Sequence, residues 1–116
     1  MDTSLTIKTD EFIIQVAIPE HATYAEDISH LIEESAKVRG TGIAKRTPEY
    51  ITKKMSEGKA IIATHKDGRL AGFCYIETWT HGKYIANSGL IVAPEFRNRH
   101  LGKLVKQVAF NLSRKN

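Results

Sequence analysis

Residues 94–103, Pro94-Glu95-Phe96-Arg97-Asn98-Arg99-His100-Leu101-Gly102-Lys103, set three cations and a histidine where a turn gives way to a helix. A helix start presents backbone N–H groups with no partner inside the helix, together with the positive end of its dipole. Arg97, Arg99 and Lys103 surround it with full charges. The chemistry such a place supports is the holding of an anion with several oxygens, above all a phosphate or pyrophosphate. The competing reading is a surface turn kept in water by its arginines, followed by an amphipathic helix.

Groups that could move protons are sparser. Glu77, late in an apolar run, could act as a base through a water molecule, against the plainer reading of an exposed strand-end acid. His81 lies beside Gly82 in a turn, and Asn87 and Ser88 have no base next to them, so a nucleophilic triad is not supported. His21, His30, His65, His81 and His100 share no metal-ligand spacing, and no metal is expected. Lys45 and Arg46 follow two glycines in a loop where they could meet substrate carboxylates. The single cysteine, Cys74, sits in an apolar run and reads as a buried thiol.

The elements that must position these groups follow from periodicity. Leu101, Leu104, Val105, Val108, Ala109 and Leu112 recur at i, i+3, i+4, i+7, i+8 and i+11, one apolar stripe to set against a sheet. Leu90-Ile91-Val92 feeds that helix from a strand beginning near Tyr84, in which Asn87-Ser88-Gly89 are poor β-formers and predict a bulge or a close approach by ligand. Ala60–His65 and Leu70–Ile76 read as two antiparallel strands joined at Asp67-Gly68, a hairpin signal that needs positive φ. Phe12–Ile18, closed by Pro19, is the first predicted strand. Ile28, Leu31, Ile32 and Ala36 give the first helix its apolar face, with Gly40 as its stop, and Thr47-Pro48 caps a second helix that ends near Gly58. Gly40-Thr41-Gly42 follows no strand, so it predicts a hinge rather than a dinucleotide-binding fingerprint. The order is strand, helix, helix, three-strand meander, helix, an α+β or mixed α/β fold.

The 116 residues, 41% of them hydrophobic, suffice for one domain with one core. The formal charge is +4, and no Asp or Glu follows Glu95, while Arg97, Arg99, Lys103, Lys106, Arg114 and Lys115 do. That asymmetry favours an anionic ligand or partner. No apolar run approaches the roughly 20 residues of a membrane span, and Met1-Asp2-Thr3-Ser4 does not resemble a signal peptide, so a soluble, cytoplasmic protein is expected.

Taken together, these residues resemble the GNAT superfamily of acyl-CoA-dependent N-acyltransferases. Its signature is Arg or Gln, two residues, Gly, one residue, then Gly or Ala, between a strand ending in Val-x-Pro and a helix. Val92-Ala93-Pro94 and Arg97-Asn98-Arg99-His100-Leu101-Gly102 match it except at His100, where glycine is usual. Within the superfamily, Arg46-Thr47-Pro48-Glu49-Tyr50, the Asp67-Gly68 hairpin and His100 resemble the acyltransferase domain of N-acetylglutamate synthases.

The resemblance implies acetyl-CoA as cosubstrate and a small amine, an amino acid among the candidates, as acceptor. It implies that the main chain of Leu90, Ile91 and Val92 pairs with the pantetheine arm. The amides of Arg97, Asn98, Arg99, His100, Leu101, Gly102 and Lys103 would cradle the pyrophosphate, with Arg97 as the side chain on phosphate. His100 either donates to the phosphate, crowds it, or is simply an exposed histidine. Members of the superfamily continue past this helix with further strands and a helix, so the expectation is either a fragment of a longer enzyme or a homodimer whose edge strands complete each other. A noncatalytic CoA- or protein-binding module is the alternative function, and nucleic-acid binding ranks last because only Phe96 and Phe110 accompany the basic stretch.

Overall fold

The computed structural model describes residues 5–39, 47–78, 85–96 and 100–115, with side chains for 5–34, 47–75, 90–96 and 100–112. Five strands form one antiparallel sheet in chain order: β1 (Thr6–Lys8), β2 (Phe12–Val16), β3 (Ala60–His65), β4 (Leu70–Thr78) and β5 (Ile85–Val92). Helices α1 (Ala25–Arg39) and α2 (Pro48–Ser56) cover one face, and α3 (Leu101–Lys115) covers the other. This is a mixed α/β architecture, as the order of elements in the sequence predicts.

Alternation along the strands splits the core into two layers. Ile61, Ala63 and Cys74 face α3, where they meet Leu101, Val105, Val108, Ala109 and Leu112. Ile62, Phe73 and Tyr75 face Ile28, Ile32, Ile51 and Met55 of α1 and α2. Each fully buried aliphatic side chain contributes about 1.5–3 kcal/mol, so the α3 stripe alone anchors that helix firmly. Leu104 is only partly buried at the margin of the stripe. Phe110, offered above as the aromatic companion of the basic stretch, is 56% exposed and outside the core.

Local chemistry sets the turns. Thr47 caps α2, its Oγ1 accepting from the Tyr50 amide at 3.2 Å, with Pro48 at the first helical position. Between β3 and β4, the Gly68 amide donates to His65 O at 2.8 Å and the His65 amide to Arg69 O at 2.9 Å. The positive φ there falls on Gly68 alone, at 93°. β1 has three residues and no apolar run, so it leaves no strand signal in the sequence. Thr9 makes that strand possible: its Oγ1 accepts from the Phe12 amide at 3.0 Å, and its own amide donates to Phe12 O at 2.8 Å, turning the chain into β2. A 3-10 turn at Pro19–Tyr24, likewise without a sequence signal, is set by His21 Nδ1, which accepts from the Ile18 amide at 3.0 Å. Among the described residues no helix is long and apolar enough to cross a membrane.

Candidate functional site

Strand β5 carries the irregularity that its Asn-Ser-Gly sequence predicts. Phe73 pairs with Ile91 and Tyr75 with Ser88, so Gly89 and Leu90 together stand opposite the single Cys74. Such a bulge locally breaks the ladder and re-aims the strand. Cys74 is the buried thiol expected, its Sγ donating to Tyr75 O at 3.7 Å, and burial pushes its pKa up to about 12. It is therefore a thiol, not a nucleophile, at neutral pH. Among the described residues β5 pairs with β4 only, which leaves its other edge to an extended ligand or another strand.

Beyond the bulge, β5 ends on a corner. The Ala93 amide donates to Ala71 O at 2.8 Å, and a short 3-10 turn, Pro94–Phe96, follows with the Phe96 amide on Ala93 O at 2.9 Å. The chain then reaches His100, which is exposed and has φ 59°. That left-handed backbone is the physical reason for a glycine at this place in the signature; histidine adopts it more readily than most side chains, at a cost. Helix α3 begins at Leu101, 1% exposed, whose side chain lies against the open face of Gly72. A Cβ on Gly72 would stand 3.2 Å from Ile91 O, a tight contact that asks β5 to give by a few tenths of an ångström, and 3.6 Å from Leu101 Cδ2, an ordinary one. The Leu104 amide bonds to His100 O at 3.3 Å, while the amides before it have no carbonyl four residues back within the helix. The corner thus combines a bulged edge strand with a helix start, an arrangement able to hold an extended chain that ends in an anion.

The residues that hold this corner were not singled out in the sequence. Phe96 is 2% exposed, stacks on His65 at 5.0 Å between centroids and meets Phe12 edge-on at 5.4 Å. The Arg69 guanidinium sits 4.9 Å from the centre of the Phe96 ring. Its Nε donates to Asp67 Oδ2 at 2.7 Å, and Nη1 approaches Glu95 Oε2 at 3.7 Å. The Arg69 amide, donating to Asp67 Oδ1 at 3.0 Å, is the main cause that lowers the Asp67 carboxyl to about 2, aided by the side chains of His65 and Arg69. His65 Nδ1 lies 3.0 Å from Asp67 Oδ1 and Nε2 3.8 Å from Glu11 Oε2. Tyr24 OH, donating to Gly68 O at 2.6 Å, ties the same hairpin turn to the start of α1. A groove of about 460 Å³ runs between them, lined in part by Asp27, His30, Arg69, Ala93 and Glu95.

The Acetyltransferase (GNAT) family model matches residues 23–116. The chain belongs to this family. Its fold is similar to the N-acetylglutamate synthase from Neisseria gonorrhoeae complexed with coenzyme A and N-acetyl-glutamate, with 22% identity and a TM-score of 0.74 over 93% of this chain and 24% of that one. It is similar also to a GNAT family acetyltransferase from Listeria monocytogenes 4b F2365, with 17% identity and a TM-score of 0.72 over 95% of this chain and 75% of that one. A GCN5-related N-acetyltransferase from Kribbella flavida gives 15% identity and a TM-score of 0.62 over 99% and 29%. At these identities the likeness is one of fold. The chain spans about a quarter of the length of the Neisseria synthase. No curated protein matched the sequence.

The GNAT frame brings part of the expected site together. Leu90 and Val92 are half-buried beneath α3, each with a side-chain carbon 3.9 Å from where a Cβ on Gly102 would lie, whereas Ile91 is buried on the opposite face. A methyl group at Gly102 is thus ordinary contact, which agrees with the Gly-or-Ala of the signature. Lys103 is exposed on the first turn of α3. Glu77 lies in β4 opposite Ala86, two residues past the Tyr75–Ser88 pair. Arg97, Asn98 and Arg99, and with them Lys45 and Arg46, fall outside the described residues. No group of three or more His, Cys, Asp or Glu among the described residues is placed to hold a metal ion.

Proposed function

We propose that this GNAT chain works as an acyl-CoA-dependent N-acetyltransferase, moving an acetyl group from acetyl-CoA to a small-molecule amine, an amino acid among the candidates. The observation that carries the reading is the bulge of Gly89 and Leu90 in an edge strand that runs directly into a left-handed entry to α3. In this reading the main chain of Leu90, Ile91 and Val92 holds the pantetheine arm. The donors from Arg97 to Lys103 take the pyrophosphate, with the Arg97 guanidinium adding paired hydrogen bonds. The bulge points backbone groups toward the thioester carbonyl, where negative charge develops as the amine nitrogen attacks. The amine then gives up a proton, the carbon–sulfur bond breaks, and CoA leaves as the thiol. Glu77 is the candidate to accept that proton, through a water molecule, and to return it by way of solvent to the departing thiolate. Lys45 and Arg46 would hold the carboxylates of an amino-acid acceptor.

The Neisseria synthase, whose structure contains coenzyme A and N-acetyl-glutamate, supports both the cosubstrate and the acceptor class. A cytoplasmic setting, where acetyl-CoA is available, and self-association through the part of the β5 edge not used by the ligand complete the proposal. Calorimetric titration of acetyl-CoA into the protein tests it. Binding at micromolar concentrations is expected, weakened about tenfold by Arg97→Ala because a charge-assisted bidentate contact is lost. No binding at high micromolar acetyl-CoA, with Arg97→Ala behaving identically, removes its basis. Thiol release over a panel of amines then identifies the acceptor.

A further inference from the structure

The β3–β4 hairpin lies well before the helix start in sequence, yet its Arg69 reaches the corner that leads there. Its guanidinium covers the Phe96 ring at 4.9 Å and approaches Glu95 Oε2 at 3.7 Å, while Asp67 Oδ2 fixes its Nε at 2.7 Å. Glu95 is the last acid in the sequence and stands two residues before Arg97. A carboxylate at that position opposes a diphosphate, and the effect falls off only over a Debye length of about 8 Å at physiological ionic strength. Arg69 therefore does two things at once. It packs over the aromatic anchor of the corner, and it holds the Glu95 carboxylate toward the hairpin.

We propose that Arg69 is a positioning residue for the phosphate end of the cosubstrate, acting through Phe96 and Glu95 rather than by contact with the ligand. The inference rests on the acetyl-CoA reading above. Asp67 serves the same device from behind, its Oδ2 accepting from the Arg69 Nε and its Oδ1 from the Arg69 amide. His65 supports the Phe96 ring by stacking. Lysine at position 69 would keep the charge and lose the planar fork.

The test compares CoA affinity and melting temperature for the wild-type chain, Arg69→Ala, Glu95→Gln and the double variant. Arg69→Ala is expected to weaken CoA about fivefold, the scale of an exposed ion pair together with an exposed cation–π contact. Glu95→Gln in that background is expected to restore at least half of the loss, measured on a logarithmic scale, since the unmasked carboxylate is gone. Glu95→Gln alone should bind as well as wild type or better. Unchanged CoA affinity in Arg69→Ala with a lowered melting temperature overturns the proposal and leaves a merely structural contact. Weakened binding that Glu95→Gln does not restore overturns it too, because it means that Arg69 meets the phosphates directly. Failure of the wild-type chain to bind CoA is a separate outcome, and it removes the acetyl-CoA reading along with this inference.

Discussion

Among the described residues Gly58, Gly68 and His100 are left-handed, and the turns that carry the last two are filled differently. In the β3–β4 hairpin Gly68 takes φ 93°, and a Cβ there would meet nothing within 4 Å, so the dihedral alone calls for glycine. At the corner before α3, His100 takes φ 59° with a full side chain. A non-glycine residue in this region costs on the order of 1 kcal/mol. The hairpin is relaxed, and the corner stores a small local cost. Such costs persist where the surroundings over-determine the backbone, and they gather at ligand-binding places. Here the residue that follows, Leu101, is nearly inaccessible to solvent and fixes the start of α3.

The comparison breaks most visibly if the corner loses its anchor. Phe96→Ala removes a buried ring packed on Phe12 and His65, and is expected to cost about 3 kcal/mol or more in urea unfolding. A loss below about 1 kcal/mol would mean that the corner does not lean on that ring. Gly68→Val comes next, at about 2 kcal/mol, because a β-branched residue is forced to positive φ with no clash to blame. The opposite sign is expected at the other turn: His100→Gly should stabilise the protein by about 0.5–1 kcal/mol, as a shift of the unfolding midpoint without a change in slope. If it destabilises, the imidazole makes contacts worth more than the strain.

The smallest effect is acidic. The Asp67 carboxyl has its pKa lowered to about 2, mainly by the Arg69 amide, from the 3.8 of an unfolded chain. Its contribution is therefore complete above pH 3.8 and fades as pH falls toward 2. The stability gap between wild type and Asp67→Asn should be constant from pH 7 to about 5 and narrow below 4. A gap that stays level down to pH 2 would show that the carboxylate does not brace the hairpin.

Where local rules suffice, the sequence was legible. The α3 stripe, the Thr47-Pro48 cap, the Asp67-Gly68 turn and the break at Asn87-Ser88-Gly89 are each decided by residues within one or two turns of chain. The family signature was readable despite His100, and the backbone there explains why glycine is the common occupant. The brace around Phe96 was not legible. His65 and Arg69 are separated from Phe96 by the whole of β4 and β5, and only the register of the sheet brings them to one corner. β1 was hidden for a similar reason, since three residues with a single half-buried side chain become a strand only by pairing with β2. Phe110 falls outside the stripe that begins at Leu101, and its exposure follows from that spacing.

The sheet keeps the order of the chain, and one junction in it is slow to become available. β2 and β3 are neighbours in space but are separated by everything from Ala17 to Lys59, including α1 and α2. A ribosome adding 5–20 residues per second takes roughly a few seconds to supply β3 once β2 has emerged. Through that interval the hairpin of β1 and β2 must keep Phe12 and Ile14 from other nascent chains without the strand that will shelter them. The residues most exposed to misassembly during synthesis are thus among those best hidden once it is over.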